Sequence, residues 1–254
     1  MTPRTTSGIV LAIAAHAESD KLVTFYSPDT GLVTGIAKGA KRSKHRFVNK
    51  LEVFTLLTIL YRPSRSSGLL FLSEAELDNA FLSLRKDYSR YTTAMFVAEL
   101  VLRFTREHDP DPGIFTLLHW ALHSLDIGIQ PLRVAALFQV RLLDLVGYQP
   151  QLDRCGLCRR GLTPKLIYGL DPASGSLVCS RCRRERINGS RLMLSVQTIR
   201  FLQQARQLDL HLLSRLQMPA RGATETVNVL TTYCRHLLQQ DIHSRRFLPP
   251  ARTG

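Results

Sequence analysis

Four cysteines constrain this chain more than any other feature. Cys155-Gly-Leu-Cys158 and Cys179-Ser-Arg-Cys182 form two C-x-x-C pairs about twenty residues apart. Each pair is a tight turn that aims two thiolates at one point, and two such turns supply the four soft ligands of a tetrahedral Zn²⁺. The flanks agree with a zinc ribbon. Gly156 relaxes the first knuckle, and Asp171-Pro172-Ala-Ser-Gly175 reads as a turn between two short extended runs, Leu166–Leu170 and Ser176–Cys179. A thioredoxin-like redox pair would open a helix in a βαβ pattern, and neither pair does. With Cys155, Cys158, Cys179 and Cys182 all ligating, the ion has no open position, which points to a structural clamp. The fifth cysteine, Cys234, stands alone in a helical pattern and reads as a small buried hydrophobe.

The first 80 residues read as β. Gly8–Ala14, Lys21–Tyr26 and Leu32–Ala37 are strand-like, with the turn Ser27–Gly31 before the third. Glu52–Tyr61 and Leu69–Ala75 follow, parted by Arg62–Gly68. Five short strands fit an OB-type Greek-key barrel, with a small SH3-like barrel as the competing form. From Phe81 to Glu107 the apolar residues Phe81, Leu84, Tyr88, Tyr91, Met95, Ala98 and Leu102 recur at helical spacing. Asp109–Gly113 breaks the chain. Ile114–Leu125 and Leu132–Val146 are further helices, the latter opened by Pro131 and stopped at Gly147. Ser195 is a candidate N-cap for Val196–Gln207. Pro219 and Gly222 precede a last helix, Thr224–His243, and the tail Arg245–Gly254 is expected to fray.

The expected fold class is α+β multidomain: an N-terminal OB-fold β-barrel, then an all-α domain carrying an inserted four-cysteine zinc ribbon. The expected division is barrel 1–80, first helical part 81–150, ribbon 151–190, second helical part 191–248 and tail 249–254. No stretch of eighteen apolar residues is present, so neither a transmembrane helix nor a membrane partner is expected. Arg4, the apolar run Gly8–Ala15 and Ala15-His-Ala17 imitate a signal peptide, but the run is short and leads directly into a strand. The paired cysteines suit a reducing cytoplasm.

Charge points to a polyanionic partner. The 254 residues carry 34 Lys and Arg against 20 Asp and Glu, a net charge of +14. The densest basic stretch holds Lys38, Lys41, Arg42, Lys44 and Arg46, with Lys50 just beyond, and it contains no acidic residue. It falls between two strands of the barrel, where cations paired with phosphates would release condensed counterions. Phe25, Tyr26, Phe47 and Tyr61 are the aromatic candidates for base stacking there. A second basic group surrounds the ribbon: Arg154, Arg159, Arg160, Arg181, Arg183, Arg184, Arg186 and Arg191, offset by Asp153, Asp171 and Glu185. Arg181, Arg183, Arg184 and Arg186 would extend a nucleic-acid path or dock an acidic protein.

Catalytic constellations are missing. His119 and His123 share a helix face, but Trp120 stands where a zincin needs Glu. There is no phosphate-binding G-x-x-x-x-G-K-[ST] loop and no G-x-S-x-G elbow. The acidic residues are scattered, with no cluster suggesting a two-metal nuclease. The residues themselves leave three classes open: a non-enzymatic DNA-binding protein, an RNA-binding or transcription-associated zinc-ribbon module, and a metal-dependent nuclease.

Three stretches carry a resemblance. Lys38–Arg46, Leu142–Cys158 and Asp171–Cys182, in this order behind a barrel-like N-terminus, resemble the bacterial RecO family of recombination mediators across essentially the whole chain. One departure is Ser174-Gly175-Ser176, where many members carry Gly-Gly. The resemblance implies an OB-fold domain, a helical domain with a zinc ribbon, and no enzymatic step. It implies binding of single- and double-stranded DNA and annealing of complementary strands. Its implied partners are RecR, in some members RecF, and the acidic C-terminal tail of single-stranded DNA-binding protein, with RecA loaded indirectly. The implied location is the bacterial cytoplasm, at the nucleoid. Arg103, Arg106, Arg133 and Arg141 are candidates for docking that acidic tail, by charge and helical placement.

Overall fold

A computed structural model describes residues 2–63, 68–183 and 192–250. Its N-terminal strands are β1 (Arg4–His16), β2 (Asp20–Ser27), β3 (Gly31–Ala37), β4 (Leu56–Pro63) and β5 (Leu70–Asn79). They close into a barrel in the order β1-β2-β3-β5-β4. All pairings are antiparallel except β3 with β5. A parallel pair needs a crossover, and here the chain crosses through the basic segment and β4. That connection selects the OB-type barrel over the SH3-like one. Inward residues such as Val10, Val23, Phe25, Val33, Leu57, Ile59 and Leu72 fill the interior. β1 is longer than its apolar run because Thr5, Thr6 and Ser7 pair with Leu60, Ile59 and Thr58. A register shift between Val10 and Ala12 lets one strand serve both β4 and β2.

The helices are α1 (Leu82–Arg85), α2 (Tyr88–Phe104), α3 (Pro112–Asp126) and α4 (Pro131–Leu145). The single run expected over Phe81–Glu107 is therefore two helices. Asp87 accepts the Arg90 N–H at 2.9 Å and starts α2 afresh. Of the apolar residues at helical spacing, Tyr88 and Met95 are exposed. The ribbon comprises β6 (Gln151–Cys155), β7 (Ile167–Asp171), β8 (Ser176–Cys179), α5 (Ser180–Arg183) and β9 (Met193–Ser195), with sheet order β6-β8-β7-β9. The sequence indicated β7 and β8, not β6 or β9.

Next come α6 (Val196–Gln207), α7 (Leu210–Leu213) and α8 (Ala220–Leu238). Ser195 caps α6 as expected, accepting the Thr198 N–H at 3.2 Å. Gly222 lies inside α8 rather than before it. A Cβ there would stand 3.2 Å from Thr198 Oγ1, so glycine lets α8 pass close to the start of α6. α8 ends at Gln239, in the left-handed region at φ 51°, short of His243. The tail expected to fray from Arg245 starts inside a 3-10 turn, and Leu248 is buried in the helical core. His243–Phe247 forms a 3-10 turn, and Glu99 accepts the backbone N–H groups of His243 and Ser244. Residues 251–254 lie outside the described residues.

The helical core reaches into the barrel side, while the barrel interior is a cluster of its own. Ile9, Leu11, Tyr26, Leu32 and Phe54 belong to the helical cluster rather than the barrel interior. Phe54 meets Tyr91 edge-on at 5.3 Å. Leu32 bridges Glu107, and the His108 N–H donates to the Leu32 carbonyl at 3.0 Å. The Tyr26 hydroxyl accepts the Asp111 N–H at 3.1 Å and donates to the Asp111 carbonyl. At this seam Gly31 has φ +70°, and a Cβ would fall 2.5 Å from the Asp109 carbonyl oxygen.

Candidate nucleic-acid interface and metal centre

The basic segment is a shaped loop, fixed at both ends. Gly39, in the left-handed region at φ 68°, opens a 3-10 turn over Ala40–Arg42. Its N–H donates to Asp20 Oδ1 at 2.8 Å, and that bond, the largest cause, holds the Asp20 carboxyl below its ordinary value. The Lys41 N–H donates to the Ser19 carbonyl at 2.9 Å, and Lys41 Nζ donates to the Ala17 carbonyl at 3.0 Å. The loop is thereby pinned to the β1–β2 turn. Further on, Ala40, Phe47 and Leu51 plug into the barrel core. Arg46 lies over the Phe47 ring at 5.2 Å and donates to the Lys38 and Ser73 carbonyls. Lys50 donates to the His45 carbonyl at 3.2 Å.

Anchoring leaves the charges outside. Lys38, Lys41, Arg42, Lys44 and Arg46 reach solvent, and Lys50 is half-buried. Glu18 stands 3.8 Å from Arg42, with both side chains far into solvent, so screening keeps that pair weak. The four aromatics expected near the loop do not reach solvent. Phe25, Tyr26, Phe47 and Tyr61 are all buried. The aromatic beside the loop is Phe71 of β5, 39% exposed, with Lys38 Nζ 5.5 Å from its ring centre. Strand alternation carries the signal for it, since Leu70 and Leu72 point inward.

The four cysteines gather as their spacing predicts, with all ligand atoms of Cys155, Cys158, Cys179 and Cys182 within 4.8 Å of one another. A tetrahedral thiolate site, with metal–sulfur bonds near 2.3 Å, spaces its sulfurs by about 3.8 Å, so a small contraction brings the four onto one ion. Cys158 and Cys179 are already at 4.0 Å. The Cys179 N–H donates to Cys155 Sγ at 3.4 Å. Burial works against charge on Cys155, yet donors from Cys158, Cys179 and Leu157 outweigh it and hold the thiol at about 6. Bonds to Cys179 and Cys158 push the metal-free Cys182 thiol up, to about 12. The soft donor set and its convergence fit one metal ion. Among the described residues this is the one gathering of three or more metal-ligating side chains.

The remaining cationic candidates separate. Arg181 is exposed on the rim of the cysteine site. The Arg183 side chain, Arg184 and Arg186 lie outside the described residues. Arg103 pairs with Glu99 at 3.4 Å and bonds Gln240. Arg133 donates to Gln217 Oε1 at 2.8 Å. Arg141 donates to the carbonyls of Ala205, Arg206 and Leu208, closing the C-terminal end of α6. Arg106 is exposed beside a concavity lined by Phe104, Leu145 and Tyr148. His119 and His123 stack at 6.2 Å, and burial, with His123 beside it, lowers the first. No helix among the described residues is long and apolar enough to cross a membrane.

Comparison with known proteins covers both halves. The family described as Recombination protein O N terminal matches residues 1–81, and Recombination protein O C terminal matches residues 85–246. The chain is 32% identical to the DNA repair protein RecO of Syntrophus aciditrophicus, over 96% of this chain and 94% of that one. It is 33% identical to the DNA repair protein RecO of Syntrophobacter fumaroxidans, over 98% of each. It is 25% identical to the protein of that name from Halalkalibacterium halodurans, over 95% of this chain and 92% of that one.

Proposed function

The chain belongs to the RecO family of DNA repair and recombination proteins, and from that premise we propose that it is a non-enzymatic recombination mediator. In this reading it binds single- and double-stranded DNA through the barrel loop and anneals complementary strands. With RecR, and with RecF where that partner is present, it helps load RecA onto DNA coated by single-stranded DNA-binding protein. The observation that carries the reading is the loop Lys38–Lys50, anchored by backbone bonds with five of its cations reaching solvent. Such a surface neutralises the repulsion between two phosphate backbones, so complementary bases meet without bond chemistry by the protein.

The cysteines are assigned to one structural Zn²⁺. Held by four thiolates, the ion would supply cross-linking of the ribbon and no open coordination position. Docking of the coating protein's acidic tail is assigned to Arg106, on a concavity where Asp109 and Asp111 line the wall together with Phe104, Leu145 and Tyr148. Arg141 is committed to α6. Arg181, exposed at the cysteine site, is assigned to a secondary basic surface.

The test is the salt dependence of DNA affinity. Replacing Lys41, Arg42, Lys44 and Arg46 together with Ala should weaken binding. It should also flatten the slope of log K against log salt by roughly 3–4 units if each cation meets a phosphate. A slope equal to wild type would move the interface elsewhere. In the same samples, labelled complementary oligonucleotides should anneal without nucleotide and without cleavage. Shortened product in Mg²⁺ would favour a nuclease. RNA preference without annealing would favour an RNA-binding module.

A further inference from the structure

We propose that Phe71 is a stacking platform for an unpaired base of bound DNA, a proposal that rests on the DNA-binding reading of the adjoining loop. The β-strand period sets its direction. Leu70 and Leu72 enter the barrel core, so Phe71 between them faces out. An aromatic ring left 39% exposed contrasts with Phe25, Tyr26, Phe47 and Tyr61, all withdrawn from solvent on the same barrel.

Its neighbours are cationic. The Lys38 ammonium sits 5.5 Å from the ring centre. Arg62 is its cross-strand partner on β4, and Ile36 is its partner on β3. Arg46 spans the gap between the Lys38 and Ser73 carbonyls, two residues along β5 from the ring. One apolar π-face is therefore accompanied by three positive charges, all within the loop and the strands that flank it. This is the chemistry that receives a nucleotide, a flat base on the ring and a phosphate on the cations. Lys38 completes the exchange: an arriving base takes the ring face, and the ammonium passes from the ring to that strand's phosphate.

The arrangement also distinguishes substrates. Bases within a duplex are stacked on their neighbours and offer no face, whereas an unpaired strand offers one at each nucleotide. The loop cations serve both forms of DNA; Phe71 adds affinity for the unpaired form alone.

Binding of three probes to the full chain tests this: oligothymidylate, an abasic oligodeoxyribose-phosphate of equal length, and a blunt duplex. Wild type should prefer oligothymidylate over the abasic strand. F71A should lose that preference, through a fall of roughly 5- to 100-fold on oligothymidylate, with abasic and duplex affinity and the salt slope unaltered. F71L keeps apolar cover over Ile36 without a π-face, so it guards against a folding defect and should behave as F71A does. F71W should retain the preference. A folded F71L that still prefers oligothymidylate overturns the stacking role. If the loop variant lowers the salt slope while F71L changes nothing, the stacking proposal alone fails. If the loop variant leaves the slope at its wild-type value, the underlying DNA interface fails with it.

Discussion

Glu99 shows how much a single carboxylate organises here. It accepts the His243 N–H at 3.0 Å, the Ser244 N–H at 2.7 Å and the Ser244 hydroxyl, and it pairs with Arg103. Burial alone would raise its pKa, but the bonds from Ser244 and His243 outweigh burial and hold it below the ordinary 4.5. Glu225 is depressed in the same way: burial opposes its charge, and the Ser195 N–H and the Thr198 hydroxyl outweigh burial. A carboxyl lowered in the folded state stabilises fully above its ordinary value, and the contribution is lost as pH falls through the folded value. Glu99→Ala should therefore cost about 2 kcal/mol in urea unfolding at pH 7, and the gap from wild type should narrow below pH 4.5. Hydrogen exchange should show Ser244 losing protection. A gap that is constant across pH would mean the carboxylate does not hold the segment. Residues of this kind are where sequence reading is weakest. Arg141 and Arg106 are the same letter in one helical domain, and only the carbonyls of Ala205, Arg206 and Leu208 show that the first is already engaged.

Elements fixed by local chemistry were legible, and elements fixed by pairing were not. Ser195 and the apolar period after it mark α6 to the residue, and the cysteine knuckles mark the ribbon. β6 and β9 hold five and three residues, and they are strands only because β8 and β7 pair with them. The break between α1 and α2 was hidden because Phe81, Leu84, Tyr91 and Ala98 all face one core. The 3-10 turn over His243–Phe247 carries no local signal, because Glu99, which holds its first two residues, lies 144 residues from His243. The ribbon's own sheet is small, so the metal is expected to carry much of its stability. On the proposed zinc assignment, Cys155→Ser should abolish zinc retention and lower Tm by at least roughly 5 °C. DNA affinity should stay near wild type. Metal content, melting and binding measured on one preparation check this. Loss of DNA binding by a folded, metal-free variant would place the ribbon within the interface.

At the scale of the molecule, barrel and helices should unfold together, because the helical core cluster takes in Ile9, Leu11, Tyr26, Leu32 and Phe54 from the barrel side, although the barrel interior is a cluster of its own. Gly31 is the tightest point of the seam. Gly31→Ala places a Cβ 2.5 Å from the Asp109 carbonyl oxygen at φ +70°, and should cost about 2 kcal/mol or more. Because the basic loop lies elsewhere on the barrel, the folded variant should keep the wild-type salt slope for DNA. Calorimetry should show one transition at lower temperature; two separated transitions would mean that the halves unfold independently. The seam also governs what can be exchanged between relatives. The two family halves meet between residues 81 and 85, and a chimera cut there looks conservative by sequence. It would sever a shared core. A grafted barrel would have to bring residues at the positions of Ile9, Leu11, Tyr26, Leu32 and Phe54 that interlock with the host's Tyr91 and its Glu107–Asp111 segment. Compatible grafts should therefore track similarity at these contact positions more closely than similarity over the whole barrel.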